Sequence, residues 1–144
     1  MDALTDLLEG RRKPGVYQVP SLNSKEDLAA KAGWRVFRLD GRIAADKDAF
    51  LRLAADAFDF PEWFGANWDA LEDCLTDLAW APADRGYLVL YEGWAALADN
   101  DQASFRTVLD VFAEAVEKWR DTGTPMAVLL SSYGVEVAGV PRLQ

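Results

Sequence analysis

Histidine is absent from this chain of 144 residues, and cysteine occurs once, as Cys74. Without imidazole there is no Ser-His-Asp or Cys-His nucleophile, no histidine metal ligand and no proton shuttle near neutral pH. One cysteine allows no disulfide and no cysteine-based metal cluster within the chain. The Gly-rich phosphate loops of dinucleotide-binding and P-loop proteins are also missing. No apolar run approaches the roughly 18 residues of a membrane span, and residues 1–10 are acidic with no signal-peptide core. The expectation is a cytoplasmic protein with no membrane contact, no cofactor, no metal and no catalytic residue. Any catalysis would have to rest on carboxylates, lysine, tyrosine or a bound group.

Lysine and arginine are missing from Leu53 to Asp84, a stretch that holds eight acids: Asp56, Asp59, Glu62, Asp69, Glu72, Asp73, Asp77 and Asp84. The net charge is −9, so this segment supplies nearly all of it, and the remaining sixteen acids almost balance the fifteen bases. Phe60, Trp63, Phe64, Trp68, Leu71, Leu75 and Leu78 are interleaved with the acids, which a disordered acidic tail would lack. A folded surface of one sign repels nucleic acid and steers basic partners toward itself.

Apolar residues make up 51% of the chain, enough for one globular domain with a real core. Strands are expected at 34–39, 87–91 and 126–130, from their β-branched and aromatic runs, with 16–19 as a weaker fourth candidate. Helices are expected at 25–32, capped by Ser24, at 46–58, from Asn67 to about Leu78, and at 104–121. Strands alternating with helices give an α/β fold with a small parallel sheet of three or four strands covered by helices.

On the helix after Asn67, Asp69, Asp73 and Asp77 are spaced i, i+4, i+8, with Glu72 and Thr76 alongside, away from the stripe of Trp68, Leu71, Leu75 and Leu78. Like charges at i, i+4 cost an isolated helix about 0.2–0.5 kcal/mol per pair, and an acid near the C-terminal end also opposes the helix dipole. The face is either a solvated surface or a docking surface for a cation-rich partner. Asp110, Glu114, Glu117 and Asp121 form a second acidic line on the long helix, diluted by Lys118 and Arg120, and for most of these positions a solvated face is the better reading. A glycosidase-like carboxylate pair is a weaker third possibility, because nothing in the sequence marks a sugar cleft. Trp63 and Phe64, in the loop before Gly65, are interface anchors or satellites of the core; Trp68 and Cys74 read as core.

The run Pro61-Glu62-Trp63-Phe64-Gly65-Ala66-Asn67-Trp68-Asp69-Ala70-Leu71-Glu72-Asp73-Cys74-Leu75-Thr76 resembles the barstar family of ribonuclease inhibitors, whose corresponding stretch reads P-E-Y-Y-G-E-N-L-D-A-L-W-D-C-L-T. Val111-Phe112-Ala113-Glu114-Ala115 is similar to the family's V-F-R-E-A. The resemblance spans 34–132, leaving 1–33 as an N-terminal accessory βα segment and 133–144 as a C-terminal extension. It implies a barstar-like fold and an intracellular inhibitor, monomeric before complex formation, whose partner is a basic barnase-type ribonuclease. It implies further that Asp73 takes the place of an RNA phosphate. Asp69, Thr76 and Glu114 would add polar contacts, Trp63 an aromatic one, and Gly65 and Asn67 would shape the loop. Glu72 stands where the family has Trp, Asp77 where it has Gly and Leu78 where it has Trp; Glu72 is expected to steer the partner. The alternative is a non-inhibitory interaction module on the same fold, binding another basic protein.

Overall fold

The computed structural model describes residues 2–132 and 136–144, so the first three residues of the C-terminal extension lie outside it. Four parallel strands form one sheet in the order β1-β4-β3-β2: β1 is Val16–Val19, β2 Trp34–Asp40, β3 Gly86–Glu92 and β4 Met126–Ser131. The fourth strand expected at 16–19 is therefore present, pairing Val16 with Val128 and Val19 with Ser131. The described helices are α1 (Ala3–Leu8), α2 (Lys25–Lys31), α3 (Lys47–Phe58), α4 (Trp68–Leu75), α5 (Ala95–Asn100) and α6 (Gln102–Trp119).

Side chains alternate across the sheet and so build two cores. Phe37, Leu39, Val89, Tyr91, Val128 and Leu130 face the larger one, with Phe50, Ala54 and Phe58 of α3, Leu71 and Leu75 of α4, and Val108, Phe112 and Ala115 of α6. Trp34, Leu88, Leu90, Ala127 and Leu129 face the smaller one, which Leu4, Leu7, Leu8, Tyr17, Val19 and Ala29 of the N-terminal segment complete. β3 is buried from Gly86 through Tyr91, as a central parallel strand with both faces covered must be. The outer edge of β1 is covered too. Gln18, only 4% exposed, accepts a hydrogen bond from the Val137 amide and donates to the Val137 and Val140 carbonyls, so its amide holds the C-terminal segment along the strand. Among the described residues no helix is long and apolar enough to cross a membrane.

Caps and boundaries depart from the sequence reading chiefly in α2, α6 and α4. Asp46, Asn67 and Asp101 cap α3, α4 and α6 through their side chains, and two hydrogen bonds from Ser104 hold the Asp101 carboxyl below the usual aspartate range. Ser24 stands at the head of α2 but sits in the left-handed region (φ 65°) and makes no side-chain cap. The long helix runs from Gln102 to Trp119, two residues earlier than expected at each end, and Asp101 rather than a later residue starts it.

The third departure shapes the site. α4 ends at Leu75, not near Leu78. Thr76 folds its hydroxyl back onto the Glu72 and Asp73 carbonyls (2.9 and 3.2 Å), and the Asp77 and Leu78 amides both turn onto the Cys74 carbonyl (3.2 Å each). Leu78 then adopts a left-handed conformation (φ 51°) with its side chain buried. Asp77 consequently lies beyond the helix, and the i, i+4, i+8 row of acids is reduced to Asp69 and Asp73.

Candidate functional site

The loop between α3 and α4 sets the position of the acidic helix. Asn67 accepts the Ala70 amide at 2.8 Å through its side-chain oxygen and donates from Nδ2 to the Gly65 carbonyl at 3.4 Å, which ties the cap to the loop behind it. Ala66 takes the left-handed turn between them (φ 51°). Leu71 and Leu75 anchor the inner side of α4 in the large core, and the Trp119 indole of α6 donates to the Leu75 carbonyl at 2.8 Å. The outer side is thereby forced to water: Asp69 and Asp73 are exposed, Glu72 and Thr76 half-buried.

Among the described residues no arginine or lysine forms an ion pair with the acids of this surface. The described ion pairs join Arg11 to Asp6 and Glu9, Arg38 to Glu92, Arg42 to Asp40, Arg120 to Glu117 and Arg142 to Glu136. Asp69, Glu72, Asp73, Asp77 and Glu114 take part in none of them. The field reaches inward: burial first, and then the charges of Asp73 and Asp77, push the Cys74 thiol above its ordinary value. Glu114 is exposed on α6, the helix packed against α4, but no hydrogen bond joins it to the α4 acids among the described residues. The structure thus places Asp69, Glu72 and Asp73 on one short helix with Thr76 as its C-cap, Gly65 and Asn67 at its entry, and Glu114 on the neighbouring helix.

Trp63 is 63% exposed, beside the entry to this helix, so it is a surface residue rather than a core satellite. Phe64, by contrast, is partly buried against Phe60 (4.8 Å between ring centres). Trp68 is half-buried, with Lys47 Nζ 5.5 Å from its ring centre. Trp80, which sequence reasoning passed over, meets Trp63 edge-on at 6.5 Å. Its only signal in the sequence is an aromatic residue shortly after an acidic helix. Among the described residues no three acidic or cysteine side chains are grouped to hold a metal ion.

The acidic helix α4 is thus short, is entered through the Gly65-Ala66-Asn67 turn and packs against the long helix α6. The family described as Barstar (barnase inhibitor) matches residues 34–131, the whole of β2 through β4. The chain belongs to the barstar family. The matched stretch excludes β1, α1 and α2, so this barstar-family chain completes its sheet and its smaller core with a segment outside the family match. Among curated proteins none matches. The chain is also similar to the Aeropyrum pernix ORC2 protein, solved in ADPNP-ADP complexes, with a TM-score of 0.52 and 16% identity over 89% of this chain. It spans 38% of that protein's length, and at this identity the likeness shows the α/β fold alone.

Proposed function

We propose that this barstar-family chain is a cytoplasmic inhibitor of a basic barnase-type ribonuclease and that α4 blocks the nuclease by standing in for the RNA backbone. The observation that supports it best is the set of acids on α4 that form no ion pair among the described residues, backed by a buried core. In this reading Asp73 occupies the place of a phosphate, Asp69, Thr76 and Glu114 meet surrounding basic groups, and Trp63 supplies an aromatic contact. Gly65 and Asn67 hold the loop, and Glu72 attracts the partner at a distance. The carboxylates would be desolvated only in the complex, where the partner's cations satisfy them, so their exposure in the free chain costs little.

Glu72 favours a second reading. It puts a half-buried charge where the family has an apolar anchor, a change that suits a different basic protein. The two readings separate in one titration. Adding the chain to barnase while RNA hydrolysis is followed should abolish activity at one equivalent, and the chain alone should cleave no RNA. Full nuclease activity at excess chain would reject the nuclease reading and leave the interaction module.

A further inference from the structure

A series of aromatic rings runs from the sheet to the surface beside the acidic helix. Phe37 of β2 meets Phe58 at 4.7 Å between ring centres, Phe58 stacks on Phe60 at 5.4 Å, and Phe60 meets Trp80 edge-on at 6.0 Å and 87°. Trp80 in turn meets Trp63 edge-on at 6.5 Å and 87°, and Trp63 ends the series in solvent. Trp80 is fixed from a second direction, since its indole N–H donates to the Phe58 carbonyl at 2.9 Å. That carbonyl belongs to the last turn of α3, where no intrahelical donor remains to satisfy it.

Two edge-to-face neighbours and one hydrogen bond leave the Trp80 ring a single orientation. Trp80 is also the one ring Trp63 touches among the described residues. An exposed tryptophan without such support samples several rotamers and loses that freedom on binding. A supported one does not.

We propose that Trp80 is a positioning residue for Trp63: it holds the exposed indole in one orientation beside α4, so that this contact is ordered before a protein partner arrives. The inference rests on the reading of Trp63 as a partner contact and deepens it. Ordering one large side chain in advance is worth roughly 2- to 12-fold in affinity, comparable with the strength of the edge-to-face pair that would provide it.

The test uses Trp80→Leu and Trp80→Phe in the full chain, with Trp63→Ala as the second arm of a double-mutant cycle. Relaxation of the Trp63 indole ¹⁵N–H in the free protein should give an order parameter near the rigid value of about 0.85, falling below about 0.6 in Trp80→Leu. Trp80→Phe keeps a ring and loses the N–H, and should lie between them; it carries the same test if Trp80→Leu does not fold. Against barnase, Trp80→Leu should weaken binding roughly 2- to 12-fold when Trp63 is present and leave it unchanged in the Trp63→Ala background. An unchanged Trp63 order parameter, or equal losses in both backgrounds, would make Trp80 a support for α3 only and overturn the proposal. If the parent chain does not bind barnase, the nuclease reading fails, and the indole order still decides the positioning role.

Discussion

The Trp119 indole N–H donates to the carbonyl of Leu75 at 2.8 Å, so the long helix α6 satisfies the end of the acidic helix α4. The last carbonyls of a helix have no partner within it, and here one of them is met by a side chain from a neighbouring element rather than by water. The same contact fixes the two acidic helices against each other. Trp119→Phe keeps the ring, which also packs on Tyr87 at 5.0 Å, but leaves that carbonyl unpaired. It should cost about 1–3 kcal/mol, read as a lower urea midpoint with an unchanged m-value. Equal midpoints would mean that water replaces the indole without loss.

Residues 1–33 supply β1, α1 and α2, and with them the cover over Leu88, Leu90 and Leu129, each fully buried. Exposing three leucines at about 1.5–3 kcal/mol each is comparable with the whole stability of a domain of this size. A chain beginning at Gly33 should therefore be insoluble or bind a hydrophobic dye in the manner of a molten globule. A soluble, cooperatively unfolding product would show that the smaller core is dispensable.

The Tyr91 hydroxyl is fully buried, with no hydrogen-bonding partner among the described residues, and burial raises its pKa above the ordinary tyrosine value. The unfolded chain ionises near pH 10. Its contribution is thus fully present below that value and is lost as pH rises toward the higher folded value. Tyr91→Phe removes an unpaired buried polar group, so it should raise stability at neutral pH, by up to about 1–3 kcal/mol. It should also flatten the loss of stability at alkaline pH. Urea midpoints at neutral and alkaline pH for both proteins check this; an unaltered alkaline slope would place the titration elsewhere.

How much of this was legible in the sequence depended on element length and on who supplied the last contact. The three main strands could be read because β-branched and aromatic runs ended at turn residues, and Asn67 could be read as a cap because it directly preceded the apolar stripe. The end of α4 could not. Leu78 continues the stripe by spacing, yet reaches the core through a left-handed turn that Trp119, forty-four residues from Leu75, helps to fix. The six-residue helices α1 and α5 are too short to show periodicity. The motif residues were visible together, but the partnership of Trp63 with Trp80 exists only after α3, α4 and the following loop have folded onto one another.

Glu72 is half-buried on α4 and carries charge where the family has tryptophan. Its expected contribution is long-range. Glu72→Ala should slow association with a basic partner at low salt and change dissociation less, because surface charges act on encounter and are screened beyond about 10 Å at 0.1 M salt. Stopped-flow association at two ionic strengths reads the effect, and a change confined to dissociation would assign Glu72 to the contact itself.

Affinity of the chain for barnase, compared among the parent, Asp73→Ala and Asp77→Ala, tests the phosphate-mimic account most directly. Asp73 sits on the exposed side of α4 and forms no ion pair among the described residues, whereas Asp77 lies beyond the helix end. Asp73→Ala should weaken binding by about 2–5 kcal/mol, the range for stranding a desolvated partner cation, to which the barnase–barstar pair itself contributed. Asp77→Ala should cost no more than about 1 kcal/mol, as a screened pair at the rim. Near-equal losses at the two positions, or parent binding that does not weaken with salt, would contradict the account and leave the acidic helix as a solvated surface.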